Sequence, residues 1–204
     1  MITIGITGGV GCGKSKILEY IKANYNCRII TADDVANQIK EPGQVCYKPL
    51  IDLLGKDIVG VDGFIDKKKM ASVIFNDNDL LLKVNNIIHP AVKDHILGAI
   101  AYEKSAGVYD YLFIEAALLI ECGYKKYVDE MWYIYAPEDV RAQRLKDSRS
   151  YSDEKIKSIM DSQLSEEEYR AGSDFCLDNG KSLENTYKQI KKKMKGFETR
   201  YGRK

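Results

Sequence analysis

The chain has 204 residues, 45% hydrophobic and 30% charged, with a formal net charge of +1. That length suits one globular domain with a substantial core and room for an inserted subdomain. A net charge so close to zero provides no global field for nucleic acid or a membrane surface, and no stretch approaches the ~18 uninterrupted apolar residues of a membrane span. The first residues lack the basic region and apolar segment of a secretory signal. Five scattered cysteines, Cys12, Cys27, Cys46, Cys122 and Cys176, include no CxxC pair. They fit reduced thiols of a cytoplasmic protein better than a disulfide or zinc framework.

In chain order, "MITIGIT" reads as a short buried strand that ends in a glycine loop. "KSKILEYIKANY" places Ile17, Leu18 and Ile21 at helical spacing. "CRIITA" is a second strand, and "DDVANQI" opens a helix on acidic residues, which suit a helix N-terminus. "EPGQ" breaks it. Residues 44 to 106 then carry apolar residues at three- and four-residue steps, a block too long for an ordinary connection between parallel strands. It is read as a helical insertion, with His89-Pro90 as a structural turn or substrate-side contact inside it. His95 lies six residues beyond His89, not the four of a metal pair on one helix face, so no zinc site is expected.

A third strand covers Tyr111 to Ile114 and ends at Glu115, and "DEMWYIYA" is a fourth. Pro137 opens a helix at a position that tolerates proline. A polar, arginine-bearing turn and another helix follow, then a fifth strand in "SDFCLDNGKS" and a last helix from about Ser182 to Gly196. The basic tail "YKQIKKKMKGFETRYGRK" is read as a solvated helix face, not a polyanion site. Strands that alternate with helices argue for a parallel sheet covered on both faces.

The residues Gly8, Gly9, Val10, Gly11, Cys12, Gly13, Lys14 and Ser15 satisfy G-x-x-x-x-G-K-[ST], with a strand before and a helix after. Such a loop must point successive N–H groups inward, and glycine permits both the backbone angles and the close approach of a pyrophosphate. The positive end of the following helix adds attraction. Lys14 can reach the β- and γ-phosphates of ATP, and the Ser15 hydroxyl is placed to ligate Mg²⁺. Cys12 is either a small residue that fits the cradle or a thiol activated by its positive potential.

Ligands of doubly wound sheets sit beyond the carboxyl ends of the strands, which puts Asp33 near the terminal phosphate. There it orients or deprotonates an attacking hydroxyl, or it merely caps a helix. Arg141, Arg144 and Arg149 follow strand four, on what reads as a lid that closes over ATP. These features indicate a small kinase with a P-loop doubly wound parallel sheet of about five strands, a helical insertion and a lid. A non-catalytic ATP sensor and a nucleoside or nucleoside monophosphate kinase share the cradle and remain the alternatives.

Several separated motifs together resemble the dephospho-CoA kinase family: "GITGGVGCGKS", "TADDVANQIKEPG", "LLGKDIVGVDGFIDKKKMASVIF", "NNIIHP", "EAALLIE" and "SDFCLDNG". The resemblance covers about residues 1 to 195. It implies a nucleotide-binding core in residues 1–43, 108–143 and 171–204, a helical insertion in 44–107 that takes dephospho-CoA, and a lid in 144–170. It implies transfer of the ATP γ-phosphate to the ribose 3′-hydroxyl of dephospho-CoA, with Asp33 as catalytic carboxylate, Asn179 and Gly180 against adenine, and Arg144 as the foremost lid arginine. A monomer is compatible with this reading. The sequence departs from the family pattern where Thr31 replaces the first Asp of Asp-Ala-Asp and where Glu115-Ala116-Ala117 replaces Asp-x-Pro. Glu115 keeps a carboxylate at the strand end, placed to help hold Mg²⁺ through water. One extra residue stands between Arg144 and Arg149.

Overall fold

The computed structural model describes residues 1–75 and 77–201, the last of these by its backbone alone. Contacts divide the chain into two units, residues 1–29 with 107–204, and residues 30–106. The strands β1 (Ile2–Thr7), β2 (Cys27–Thr31), β3 (Tyr111–Glu115), β4 (Glu130–Tyr135) and β5 (Phe175–Asp178) form one sheet in the order β2-β3-β1-β4-β5. β1 pairs in parallel with β3 and with β4, and β4 with β5. Every residue of β1 is buried, as expected for a strand covered on both faces. The register sets Ile6 opposite both Glu115 and Trp132, and Tyr135 opposite Asp178. The carboxyl ends of β1, β3, β4 and β5 therefore share one edge. β1 is the central strand, and later strands flank it on both sides, the switch point where such sheets bind ligands.

The helices of this unit are α1 (Lys14–Asn24), α6 (Glu138–Arg149), α7 (Asp153–Asp161), α8 (Glu166–Ala171) and α9 (Leu183–Tyr201). α1 buries Ile17, Leu18 and Ile21, the residues that its spacing marks. Pro137 is the N-cap of α6 and not its first residue. The core centres on Trp132, ringed by Phe113, Phe175 and Phe197 at 6.0, 5.2 and 6.3 Å between ring centres.

α9 runs past Gly196, where the sequence pattern ends it, because Ile190, Met194 and Phe197 continue one buried stripe. Burying one such side chain is worth about 1.5–3 kcal/mol, more than the ~1 kcal/mol that a helical glycine costs. Nor is the basic tail only a solvated face. Lys193 lies 2.7 Å from the buried Glu130 carboxylate and over the Phe175 and Phe197 rings, and Arg200 lies 3.8 Å from the same carboxylate. Glu130 also accepts from the Trp132 indole N–H at 3.1 Å. Residues 202–204 of that tail lie outside the described residues.

The second unit holds α2 (Ala32–Gln38), α3 (Tyr47–Leu54), α4 (Lys67–Ile74) and α5 (Asn78–Ala106). Val35, Leu50, Met70, Val84, Val92, Ile96 and Ile100 are among its buried side chains along these helices. His89-Pro90 does not make a turn: Pro90 lies inside the 29-residue α5. Proline removes one ladder N–H and crowds the carbonyls of the preceding turn. Close by, the Cys46 thiol donates to the Ile87 carbonyl at 3.6 Å, one residue beyond the Asn86 carbonyl that the missing N–H would have bonded. No helix among the described residues is long and apolar enough to cross a membrane.

The Glu130 cluster yields a stability prediction. Glu130→Ala strands the Lys193 charge and the Trp132 N–H, and should cost about 3 kcal/mol in urea unfolding. Arg200→Ala, at 66% side-chain exposure, should change stability by under about 0.5 kcal/mol. Equal losses from the two variants would contradict this division.

Candidate active site

The loop between β1 and α1 brings main-chain donors to the carboxyl edge of the sheet. α1 has no side-chain cap, and its first intrahelical bond from the loop runs from Ile17 N–H to the Gly13 carbonyl. The N–H groups of Lys14, Ser15 and Lys16 thus stand at a bare helix start, where anions bind. Gly13, the N-cap, has φ 92° and ψ 26°. A Cβ there would lie 2.4 Å from the Asn179 side-chain nitrogen, so angle and space both demand glycine.

Lys14 folds back across this loop. Its Nζ donates to the Gly8 carbonyl at 2.8 Å and lies 3.7 Å from the Glu115 carboxylate. The β1–β3 register delivers Glu115 to that point, and a Thr7 hydroxyl bond to the Ala117 carbonyl at 3.0 Å holds the chain beyond it. The Ser15 side chain is exposed in the first turn of α1. Ser15 and Glu115 offer the hard oxygen donors that suit Mg²⁺. The described residues contain no group of three or more His, Cys, Asp or Glu placed to hold a metal.

Behind the loop, Asn179 is buried and fully engaged. Its amide nitrogen donates to the Cys12 carbonyl at 2.7 Å, its amide oxygen accepts from Thr186 at 2.9 Å, and its backbone N–H reaches the Tyr135 carbonyl at 2.7 Å. Arg144 bridges the same region, donating to the Asn179 carbonyl at 2.9 Å and the Cys12 carbonyl at 3.4 Å. Gly180 lets the chain pass Pro137, whose Cδ would lie 2.4 Å from an added Cβ. Asn179 and Gly180 are thus more than a simple Asn-Gly turn.

Cys12 is not an activated thiol. It is 1% exposed and packs in the hydrophobic core, and burial pushes its pKa up against the opposing pull of Lys14. The desolvation of a thiolate outweighs two nearby cations, Lys14 and Arg141, here.

The structure brings Gly8 to Ser15, Glu115, Arg144, Asn179 and Gly180 together in the first unit. Arg149 ends α6, exposed, with its guanidinium 5.8 Å from the Tyr151 ring, and does not join them. Asp33 belongs to the second unit, in the first turn of α2. It is not the cap: Thr31 is, accepting from the Asp34 N–H at 3.2 Å. Asp33 remains an exposed carboxylate held by a helix. Sequence reasoning missed Gln163, whose side-chain oxygen accepts from the Val10 N–H at 3.0 Å. Nothing in "SIMDSQL" marks that glutamine, since the contact spans 153 positions.

The profile of the dephospho-CoA kinase family matches residues 2–185. A dephospho-CoA kinase of Carboxydothermus hydrogenoformans is 34% identical over 92% of this chain and 90% of its own. One of Aquifex aeolicus is 35% identical over 94% and 95%. Among solved structures, TT1252 from Thermus thermophilus superposes with a TM-score of 0.78 at 26% identity, covering 96% of this chain and 97% of that one. With the phosphate loop, the parallel sheet and this match along nearly its whole length, the chain belongs to the dephospho-CoA kinase family.

Proposed function

We propose that this chain transfers the γ-phosphate of ATP to the 3′-hydroxyl of the dephospho-CoA ribose, giving CoA and ADP. The observation that carries the reading is the braced loop with Lys14 drawn to its Gly8 side. It stands in a chain whose curated relatives bear the name dephospho-CoA kinase. In the reaction the 3′-oxygen bonds to the γ-phosphorus, the bond from that phosphorus to the bridging oxygen breaks, and ADP leaves with the electron pair.

The residue roles follow from placement. N–H groups of Gly11, Gly13, Lys14 and Ser15 receive the phosphates, and Lys14 exchanges its carbonyl and carboxylate partners for their oxygens. Ser15 and Glu115 would hold Mg²⁺, which neutralises phosphate charge when bound. Arg144 and Asn179 fix the loop from behind, so Arg144 adds its charge from a distance while Asn179 and Gly180 border the adenine side. Asp33 orients the acceptor hydroxyl and takes its proton. Residues 44–107 receive dephospho-CoA, and 144–170 act as the lid. Five free cysteines suit a reducing compartment such as the cytoplasm.

The direct test is incubation with Mg-ATP and a panel of dephospho-CoA, AMP, CMP and nucleosides. Phosphorylation of dephospho-CoA is expected, and phosphorylation of AMP in its place would overturn the assignment. Asp33→Asn should lower turnover by about 10²–10⁴-fold while ATP binding persists; near-normal turnover would reduce Asp33 to a surface carboxylate. Lys14→Ala should weaken ATP binding and also lower turnover by about 10²–10³-fold.

A further inference from the structure

At the end of the sheet away from the phosphate loop, β4, β5 and α9 leave a groove of about 370 Å³. That volume lies in the range of small-molecule sites, roughly 300–1,000 Å³. Glu130 opens β4 and Phe175 opens β5, whereas the loop stands where these parallel strands end. The six residues of β4, at roughly 3.3 Å each, separate the groove from the nucleotide edge.

The opposite wall is one face of α9, from Gln189 through Lys193, Gly196 and Phe197 to Arg200. Gln189 fixes that wall against β5, its amide bonded to the Asp178 N–H at 3.1 Å and the Asp178 carbonyl at 2.9 Å. Gly196 keeps it open. A glycine inside a helix lowers the folded population about fivefold against alanine, and here neither backbone angle nor crowding calls for one. Its φ is not positive, and a Cβ added to it would meet nothing within 4 Å. The cost of this glycine is matched only by the space it leaves in the groove.

The lining selects the ligand. Phe175, half-buried, and Phe197, buried, supply ring surface. Three cations, Lys192, Lys193 and Arg200, stand against one lining carboxylate, Glu130. That carboxylate is taken, since Lys193 lies 2.7 Å away and the Trp132 indole N–H donates to it at 3.1 Å. The neighbouring Asp174 carboxylate is likewise held, by Lys125 and the Met131 N–H. Lys192 makes no ion pair among the described residues, and Arg200 is 3.8 Å from Glu130 with 66% of its side chain exposed. Lys192 and Arg200 lie one turn to either side of Gly196 on the same helix face. Their charge is thus directed at the gap that the glycine leaves. We propose that this groove is a second binding site, for a small organic anion with an apolar body. Lys192 and Arg200 meet its charge, and Phe175 and Phe197 carry its body beside Gly196. The site does not rest on the phosphoryl transfer proposed above.

The test is calorimetric titration of the full chain with phenylbutyrate, with its neutral counterpart phenylbutanol, and with acetate. Phenylbutyrate should bind at least about tenfold more tightly than either, because only it offers both charge and apolar body. Gly196→Leu should weaken its binding at least about tenfold by filling the groove, yet melt no lower than wild type, since leucine favours a helix. Arg200→Ala should weaken binding about 3–5-fold, the worth of an exposed charge pair, and keeps the test decisive should Gly196→Leu not fold. Saturating ADP should leave phenylbutyrate bound. Absence of binding, equal binding of phenylbutanol, unchanged binding to Gly196→Leu or Arg200→Ala, or displacement by ADP would overturn the proposal. A wild-type dimer that Gly196→Leu converts to a monomer would assign the groove to a second copy of the chain and overturn it as well.

Discussion

The buried amide of Asn179 holds the donor side together. A loop with glycine at positions 8, 9, 11 and 13 has more conformations to lose than almost any other sequence. It keeps one shape only if something outside it fixes the backbone. Asn179 does so by donating to the Cys12 carbonyl while Thr186 and the Tyr135 carbonyl hold Asn179 in turn. Arg144 donates to the same Cys12 carbonyl and to the carbonyl of Asn179 itself, so β4, β5 and the start of α9 converge on one peptide group of the loop. The cradle is rigid because the end of the sheet is rigid, not because the glycines are.

Charge is distributed on the same plan. Lys14 has a carbonyl and Glu115 for partners, and Arg144 has two carbonyls. Both are engaged, and their bonds shape the loop. Cys12 shows the complementary rule, since its side chain turns away from this polar surface into the apolar core and is insulated from chemistry.

Much of this was legible in the residues. The loop, the strand before it and the helix after it are local features, and Ile17, Leu18 and Ile21 mark the face of α1 that is buried. The Asn-Gly signal located the end of β5. What escaped was set by tertiary contact. Pro90 reads as a break, yet α5 continues through it, packed against α2, α3 and α4. Gly196 reads as a stop, yet Phe197 is buried beside Trp132 and extends α9 beyond it. The hold of Gln163 on Val10 joins segments far apart in sequence, so no spacing rule could reveal it. The arginine that the family resemblance put foremost, Arg144, braces the loop, while its neighbour one helical turn earlier lies over Gly9.

Thr31 illustrates how a departure from a motif can leave its geometry intact. A helix N-cap needs a side-chain oxygen to accept an orphan N–H, and threonine supplies one as aspartate does. Thr31 accepts from Asp34 N–H, so α2 starts in register and Asp33 keeps its place in the first turn. The substitution removes a negative charge two residues from Asp33 without disturbing the helix that carries it. With Thr31 as the cap, Asp33 has no capping duty, and its carboxylate stays exposed on a helix start. A structural requirement and a chemical one, which Asp-Ala-Asp can assign to like residues, are here divided between unlike ones.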